Sequence, residues 1–317
     1  MRKLTTSLLA TTVAMALTAC SSSSSDSGGD DTASIALPDN YVQISHENAP
    51  AVAAAAMQTA VEASDSGQSS ESYGGYQPAY SAATRNAGLS ERKQYEQSLD
   101  CDSGDFTLSW DDADGSEEVD AGDNLTAVYR ECVYNYDDTS LYTDGRMSID
   151  IHAGDYDGSD SDMTTAYTDF VVDDGDYYSR MNGSMRIISE YSDSTVSSTL
   201  SSESLTVEHD DSAIRLSGLS LQDSYNLADD SWTMSYDALL QSTTLNGALQ
   251  IETLSVFEGT YQDEPVSGSM KVSGANGSYV TIDAASGSDD TLYVTTFDGS
   301  TTTSEEMSWE DFYAAGQ

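Results

Sequence analysis

Four aspartates in the stretch DYDGSDSD have the spacing to bind one divalent cation. They are Asp155, Asp157, Asp160 and Asp162, and closely spaced carboxylate oxygens are the ligands that Ca²⁺ prefers. The stretch departs from an EF-hand loop, because its glycine comes too early and its twelfth position is not glutamate. We favour the interpretation that this stretch is a solvated acidic turn. Weakly bound Ca²⁺ is the alternative and the one candidate cofactor.

The histidines and serines show no catalytic pattern. His46, His152 and His209 are the three histidines of the chain, and none belongs to an HExxH motif or a Cys and His cluster. The nucleophile elbow, the Walker loop and the GxGxxG fingerprint do not occur either. We therefore predict no catalytic residues and no enzymatic activity. A hydrolase is the less favoured alternative, because a carboxylate pair would not stand out among 55 acidic residues.

The amino terminus has the pattern of a secretory signal. Arg2 and Lys3 precede the apolar run LLATTVAMALTA, which is too short to cross a bilayer, since a helix needs about 20 residues for that. The residues LTAC that end at Cys20 resemble the lipobox of bacterial lipoproteins. This resemblance implies that residues 1–19 are cleaved off as a signal peptide and that Cys20 becomes the acylated amino terminus.

The lipobox resemblance also implies a location. Two or three acyl chains on Cys20 hold a protein firmly, whereas a single chain binds only marginally. Ser21 stands where retention in the inner membrane would require Asp, so the resemblance implies the outer membrane, on either its periplasmic or its outer side. The membrane is thus the first predicted partner, and an envelope protein, lipid or glycan is the second.

The chain is strongly acidic. It has 55 acidic residues against 11 lysines and arginines, and its formal charge is −44. Such a surface repels phosphates, which excludes nucleic acid as a partner. Cation binding and a solvated, salt-tolerant surface both explain this acidity. We favour the second, which predicts that stability rises with salt as the self-repulsion is screened.

The cysteines predict one disulfide. If Cys20 carries lipid, Cys101 and Cys132 remain, and an even pair in an exported chain indicates a bridge. In the chain-entropy model, a bridge that closes the loop between Cys101 and Cys132 stabilises the fold by about 3 to 4 kcal/mol.

The chain divides into a tether and one domain. Residues 20–40 contain the lipidated Cys20 followed by Ser, Asp and Gly, a composition typical of a flexible linker. Residues 41–317 are predicted to be a single β-rich globular domain that begins with an Ala-rich helix, with Pro50 in its first turn. Strands with alternating polarity follow, among them FTLSW, LTAVYRECV, RMSIDIH, SMRIIS, SLTVEH, ALQIETLSVF, SMKVSG, SYVTIDA and TLYVTTF.

These patterns predict a mainly β fold. We expect a long antiparallel meander that forms a curved sheet, a half-barrel or a barrel, with the Ala-rich helix packed on it. A glycine opens several of the alternating segments, at positions 145, 183, 218, 247 and 268, and the uneven spacing argues against a solenoid. In GANGSY, Asn276 and Gly277 suit a hairpin turn with positive φ.

The motifs CDSGDFTLSW, AGDNLTAVYRECV, PVSGSMKVSGANGSYVTI and SWEDF resemble a group of uncharacterised exported lipoproteins of proteobacteria. The resemblance covers most of residues 40–312. It implies a shared β-rich scaffold and an envelope location, and it implies no catalytic residues.

The resulting hypothesis is a lipid-anchored cell-envelope lipoprotein with a non-enzymatic binding or structural role. The main alternative is a half-barrel that carries an apolar ligand such as a lipid. A glycan-binding protein is less favoured, because most of the 20 tyrosines and three tryptophans are explained as strand residues that pack on cross-strand neighbours.

Overall fold

Most of the described chain forms one antiparallel sheet. The computed structural model describes residues 35–68, 93–99, 101–116, 118–136, 139–154, 160–175, 177–192, 194–260, 264–284 and 290–316. Within them, 14 strands pair in strict chain order. They are β1 (Lys93–Leu99), β2 (Ser103–Asp112), β3 (Asn124–Tyr136), β4 (Thr139–Gly154), β5 (Ser161–Asp173), β6 (Tyr178–Tyr191), β7 (Thr195–His209), β8 (Ser212–Asn226), β9 (Ser231–Ser242), β10 (Gly247–Thr260), β11 (Ser267–Ser273), β12 (Tyr279–Ala284), β13 (Thr291–Phe297) and β14 (Thr302–Ser308).

The sheet is an open meander. In the described residues, β1 and β14 lie at its two ends and do not pair with each other. The predicted mainly β, antiparallel meander is therefore confirmed. The turn predicted in GANGSY is also confirmed, because Asn276 and Gly277 have φ values of 55° and 75°.

Two helices pack on one face of the sheet. Helix α1 (Ala49–Gln68) is the predicted Ala-rich helix, and it contacts β7, β8 and β11 to β13. Helix α2 (Trp309–Ala315) was not predicted; it begins at the cap residue Ser308, whose hydroxyl accepts the Asp311 backbone N–H at 3.0 Å. The two helices contact each other.

The core lies between α1 and the sheet, and the alternation of the strands builds it. In β13, for example, Leu292 and Val294 are buried while Tyr293 faces the other way. The buried side of α1 presents small side chains such as Ala53 and Ala56, which allow the helix to approach the strands closely. The buried side chains of α1 and of both halves of the sheet form one continuous apolar cluster.

A line of backbone irregularities crosses the middle of the sheet. Gly145 in β4 and Gly183 in β6 have φ values of +94° and +119°, and the pairing register shifts beside each of them. The repeated glycines thus mark β-bulges inside long strands, where they increase bending and twist. Of the five glycines predicted to open alternating strands, Gly247 begins β10, whereas Gly145 and Gly183 lie inside β4 and β6.

The same hydrogen-bonded unit occurs twice along this line. Glu131 and Asp169 have φ values of 49° and 46°, which are uncommon for residues other than glycine. The Glu131 N–H donates to Asp144 Oδ1 at 2.9 Å, and the Asp169 N–H donates to Asn182 Oδ1 at 2.8 Å. Asp144 and Asn182 each precede a bulge glycine, so these side chains satisfy amides that the irregular ladder leaves unpaired.

Candidate functional site

The predicted lipidation site lies outside the described residues. The structure describes nothing before residue 35, so the signal peptide 1–19, the anchor at Cys20 and most of the tether remain predictions. In the described part of the chain, neither helix has the length and apolar character needed to cross a membrane.

The predicted disulfide is confirmed. Cys101 and Cys132 are bonded, with their Cα atoms 5.5 Å apart. Cys132 is fully buried in the apolar cluster, and Cys101 packs against the same cluster. The bridge therefore ties the chain just before β2 to the interior of β3.

The structure describes half of the candidate calcium loop. Asp155 and Asp157 lie outside the described residues. Asp160 Oδ1 accepts the Tyr191 N–H at 2.7 Å, and both Asp162 oxygens accept hydrogen bonds from Arg186, at 2.7 and 2.6 Å. The Arg186 guanidinium holds the pKa of Asp162 below its usual value. Both described carboxylates thus have protein partners, and Ca²⁺ binding by the four aspartates remains a prediction.

A second acidic loop, between β2 and β3, is ordered by buried carboxylates. Asp123 is 1% exposed and accepts the Trp110 indole N–H at 2.9 Å and the Ala113 N–H at 2.8 Å. Burial and the neighbouring aspartates raise the pKa of Asp120. Among the described residues, no group of three His, Cys, Asp or Glu side chains has an arrangement that could hold a metal ion. These carboxylates therefore act as hydrogen-bond acceptors that shape the loop.

The three histidines contact different parts of the sheet. His152 Nε2 lies 2.8 Å from Thr164 Oγ1. His209 Nδ1 donates to the Tyr178 carbonyl oxygen at 2.7 Å, and its ring lies 4.6 Å from that of Tyr177. His46 has the richest set of partners, which sequence reasoning missed because they come from the other end of the chain.

His46 lies between an aspartate and a threonine. Its Nε2 is 3.1 Å from Asp298 Oδ2, and its Nδ1 is 2.7 Å from Thr303 Oγ1. The ring nitrogens are used in the opposite sense to a hydrolase triad, in which the carboxylate contacts Nδ1 and the nucleophile Nε2. The His46 side chain is also a third exposed, and Thr303 lies on the exposed strand β14. Thr301 Oγ1 lies 3.0 Å from the same Nε2. The arrangement fastens the segment before α1 to the turn between β13 and β14.

The Asp298 carboxylate makes the stability of the turn between β13 and β14 dependent on pH. Hydrogen bonds from the Thr301 backbone and from the hydroxyl and backbone of Ser300 hold the pKa of Asp298 well below its usual range. A carboxyl group with a lowered pKa stabilises the fold above its unfolded pKa of about 3.9, and the contribution disappears as the pH falls through the folded pKa. As the pH falls below about 4, we expect the free energy of unfolding to decrease less for Asp298→Asn than for the wild type.

Urea unfolding from about pH 6 down to pH 2 measures this difference. Glu47→Gln is the matched control, because Glu47 is an exposed acid next to His46. Parallel stability curves for wild type and Asp298→Asn would contradict the expectation.

The outer side of β11, β12 and β13 carries three aromatic residues. Nine residues alternate there with core residues, in three cross-strand rows. We call them the Tyr293 face: Ser269, Asp283 and Tyr293; Lys271, Thr281 and Thr295; and Ser273, Tyr279 and Phe297. These nine residues include one lysine and one aspartate, and the rows continue to Glu252 on β10, paired with Lys271, and to Glu306 on β14, paired with Tyr293.

Two of the three aromatic rings of the Tyr293 face, those of Tyr279 and Phe297, contact their neighbours. Lys271 Nζ lies 4.8 Å from the centre of the Tyr279 ring, and the Tyr279 and Phe297 rings are 5.4 Å apart. Tyr293 is 43% exposed. The sequence signal for this face is the alternation in TLYVTTF, which places Tyr293, Thr295 and Phe297 on the side opposite the core.

The arrangement defines an open antiparallel meander domain with two helices packed on one face and aromatic residues on the other. Comparison with models of protein families, with curated proteins and with solved structures finds no match.

Proposed function

We propose that this protein is a lipid-anchored, non-enzymatic binding element of the cell envelope. In this proposal, acyl chains on Cys20 hold it in the outer membrane, and residues 21–40 are the tether. The acidic domain then reaches its partner away from the lipid surface. The lipobox residues and the polar linker that follows them support the anchoring part of the proposal.

The observation that supports binding is the Tyr293 face. Tyrosines are enriched where proteins meet partners, because one end of the side chain is apolar and the other forms hydrogen bonds. Tyr293 is exposed on β13, next to the terminal strand β14, and its cross-strand neighbours are Asp283 and Glu306.

The cluster of buried side chains favours a surface-binding role over a carrier role. A carrier needs a cavity, whereas α1 and the strands share one continuous cluster of buried side chains. The one observation that favours the carrier is the Tyr236 hydroxyl, which is fully buried and has no hydrogen-bond partner in the part of the chain that the structure describes. A polar group of a bound lipid would satisfy it.

Membrane fractionation of Cys20→Ser tests the anchoring proposal. We expect the wild-type protein to float with outer membranes and the variant to remain an unlipidated precursor that is lost from that fraction. Cys20→Ser protein that still floats with outer membranes would disprove the anchor. Native mass spectrometry of the purified wild-type protein separates the two roles, because a copurifying lipid in the domain supports the carrier.

A further inference from the structure

We propose that three turns at one end of the sheet face the lipid surface and that the strands point away from it. We call them the entry turns: residues 243–246, 274–278 and 298–301, which connect β9 to β10, β11 to β12 and β13 to β14. This inference rests on the anchor at Cys20 proposed above and adds the orientation of the domain on the membrane. The evidence is the place where the chain that comes from Cys20 enters the sheet.

The chain enters the sheet beside the first entry turn. The Ala248 N–H donates to the Asn40 carbonyl oxygen at 2.8 Å, and the Val42 N–H donates to the Ala248 carbonyl oxygen at 3.0 Å. Tyr41 forms a parallel bridge with Ala248, so this segment runs in the direction of β10, away from the first entry turn. Asn40 is therefore the end of the segment nearer the turn, and the residues that precede it leave the sheet at the entry turns.

The second and third entry turns hold the same segment. The Ala275 N–H donates to the Val42 carbonyl oxygen at 2.7 Å, and Asn276 Nδ2 donates to Gln43 Oε1 at 2.8 Å. His46 Nε2 lies 3.1 Å from a carboxylate oxygen of the third turn. A pull from the anchor is therefore shared by three turns at one end of the sheet.

The length of the tether disfavours the inverted orientation. Strand β9 (Ser231–Ser242) runs for about 40 Å, at about 3.3 Å per residue, from the turn at residues 227–230 to the first entry turn. We call residues 227–230 the far turn. Pro38 is held at the entry end, since its carbonyl oxygen accepts a hydrogen bond from Gln241 at 3.2 Å. A Ser- and Gly-rich linker of the length between Cys20 and Pro38 has a root-mean-square end-to-end distance of about 23 Å. To place the far turn on the lipid, the linker would have to stretch across the length of β9.

Charge opposes the orientation in which the domain lies on its side. The formal charge of −44 repels anionic lipid headgroups, so a broad contact between the sheet and the lipid is unfavourable. The entry end is acidic as well, with Asp39, Asp210, Asp211 and Asp298, so attachment rather than attraction brings it to the lipid. With the strands pointing away from the lipid, the Tyr293 face remains open to a partner beside the protein.

Energy transfer from single labels to the lipid surface tests the orientation. Thr244 in the first entry turn and Ala228 in the far turn are both exposed, and each is changed to cysteine and labelled with a donor dye. The added thiol is free, whereas Cys101 and Cys132 are bonded and Cys20 carries lipid in the proposal. The lipidated variants are reconstituted in vesicles of phosphatidylethanolamine and phosphatidylglycerol that carry an acceptor dye on their headgroups. We expect several-fold more transfer from Thr244→Cys than from Ala228→Cys.

The matched control is the same pair of labels in a chain with a long Gly- and Ser-rich insertion after Ser25. We expect weak and nearly equal transfer from both labels there, because a linker much longer than the strands no longer restrains the domain. With the natural tether, equal transfer from the two labels, or more from Ala228→Cys, would overturn the orientation while the anchor would stand. A difference that persists with the long insertion would also overturn it, since attachment would not be its cause. Lipidated protein that does not float with the vesicles would overturn the anchor and the orientation together.

Discussion

Gly145→Ala is expected to destabilise the protein by about 3 to 5 kcal/mol, a large part of the stability of a typical domain. Gly145 has a φ of +94°, which disfavours any side chain. A Cβ at this position would also lie 2.0 Å from the carbonyl oxygen of Asp169 on the neighbouring strand. The clash is with backbone, so β4 and β5 would have to separate at the bulge.

Gly175→Ala is a control that isolates the backbone contribution. Gly175 has a similar φ of +88°, but a Cβ there would meet nothing within 4 Å. We expect this variant to lose only about 1 to 2 kcal/mol, the cost of a left-handed conformation. Urea unfolding followed by circular dichroism gives both values. Equal losses for the two variants would show that the bulge tolerates a Cβ.

Removing the disulfide is the second large effect. We expect Cys101→Ala combined with Cys132→Ala to lose about 3 to 4 kcal/mol, because the bridge closes a loop with a sequence separation of 31 residues and restricts the unfolded chain. Alanine is the suitable replacement at position 132, since Cys132 is fully buried and a serine would bury a hydroxyl group.

Denaturant unfolding of the double variant, and of wild type with and without reductant, measures this loss. The reduced wild type should resemble the double variant, because both lack the cross-link. Free-thiol titration of the unfolded mature domain should find neither Cys101 nor Cys132. Two free thiols, or a double variant as stable as the oxidised protein, would contradict the expectation.

Much of the fold could be predicted because its signals are local. In a segment such as TLYVTTF, alternating polarity already assigns each residue to the core or to the outer face. The alanines of α1 and the turn at Asn276 and Gly277 are also encoded by neighbouring residues. Helix α2 was missed because its sequence, WEDFYAA, is too short to show a helical period.

The bulges and the partners of His46 could not be predicted in this way. Gly145 begins an alternating segment in the sequence, yet it lies inside β4 because the strand continues on the other side of the bulge. The register between β4 and β5 decides this, and it depends on residues such as Asp169 in another strand. His46 and Asp298 come together only when the segment before α1 reaches the far end of the sheet.

The sequence by itself determined the β-rich meander, the helix that covers it, the oxidised cysteine pair and the acidic charge. It also supplies the evidence for an anchor at Cys20. The tertiary structure alone decided where the strands bulge, which residues contact His46 and which side chains share the Tyr293 face. The physical reason is that strand polarity is set residue by residue, whereas cross-strand neighbours are set by register, which only the assembled sheet determines.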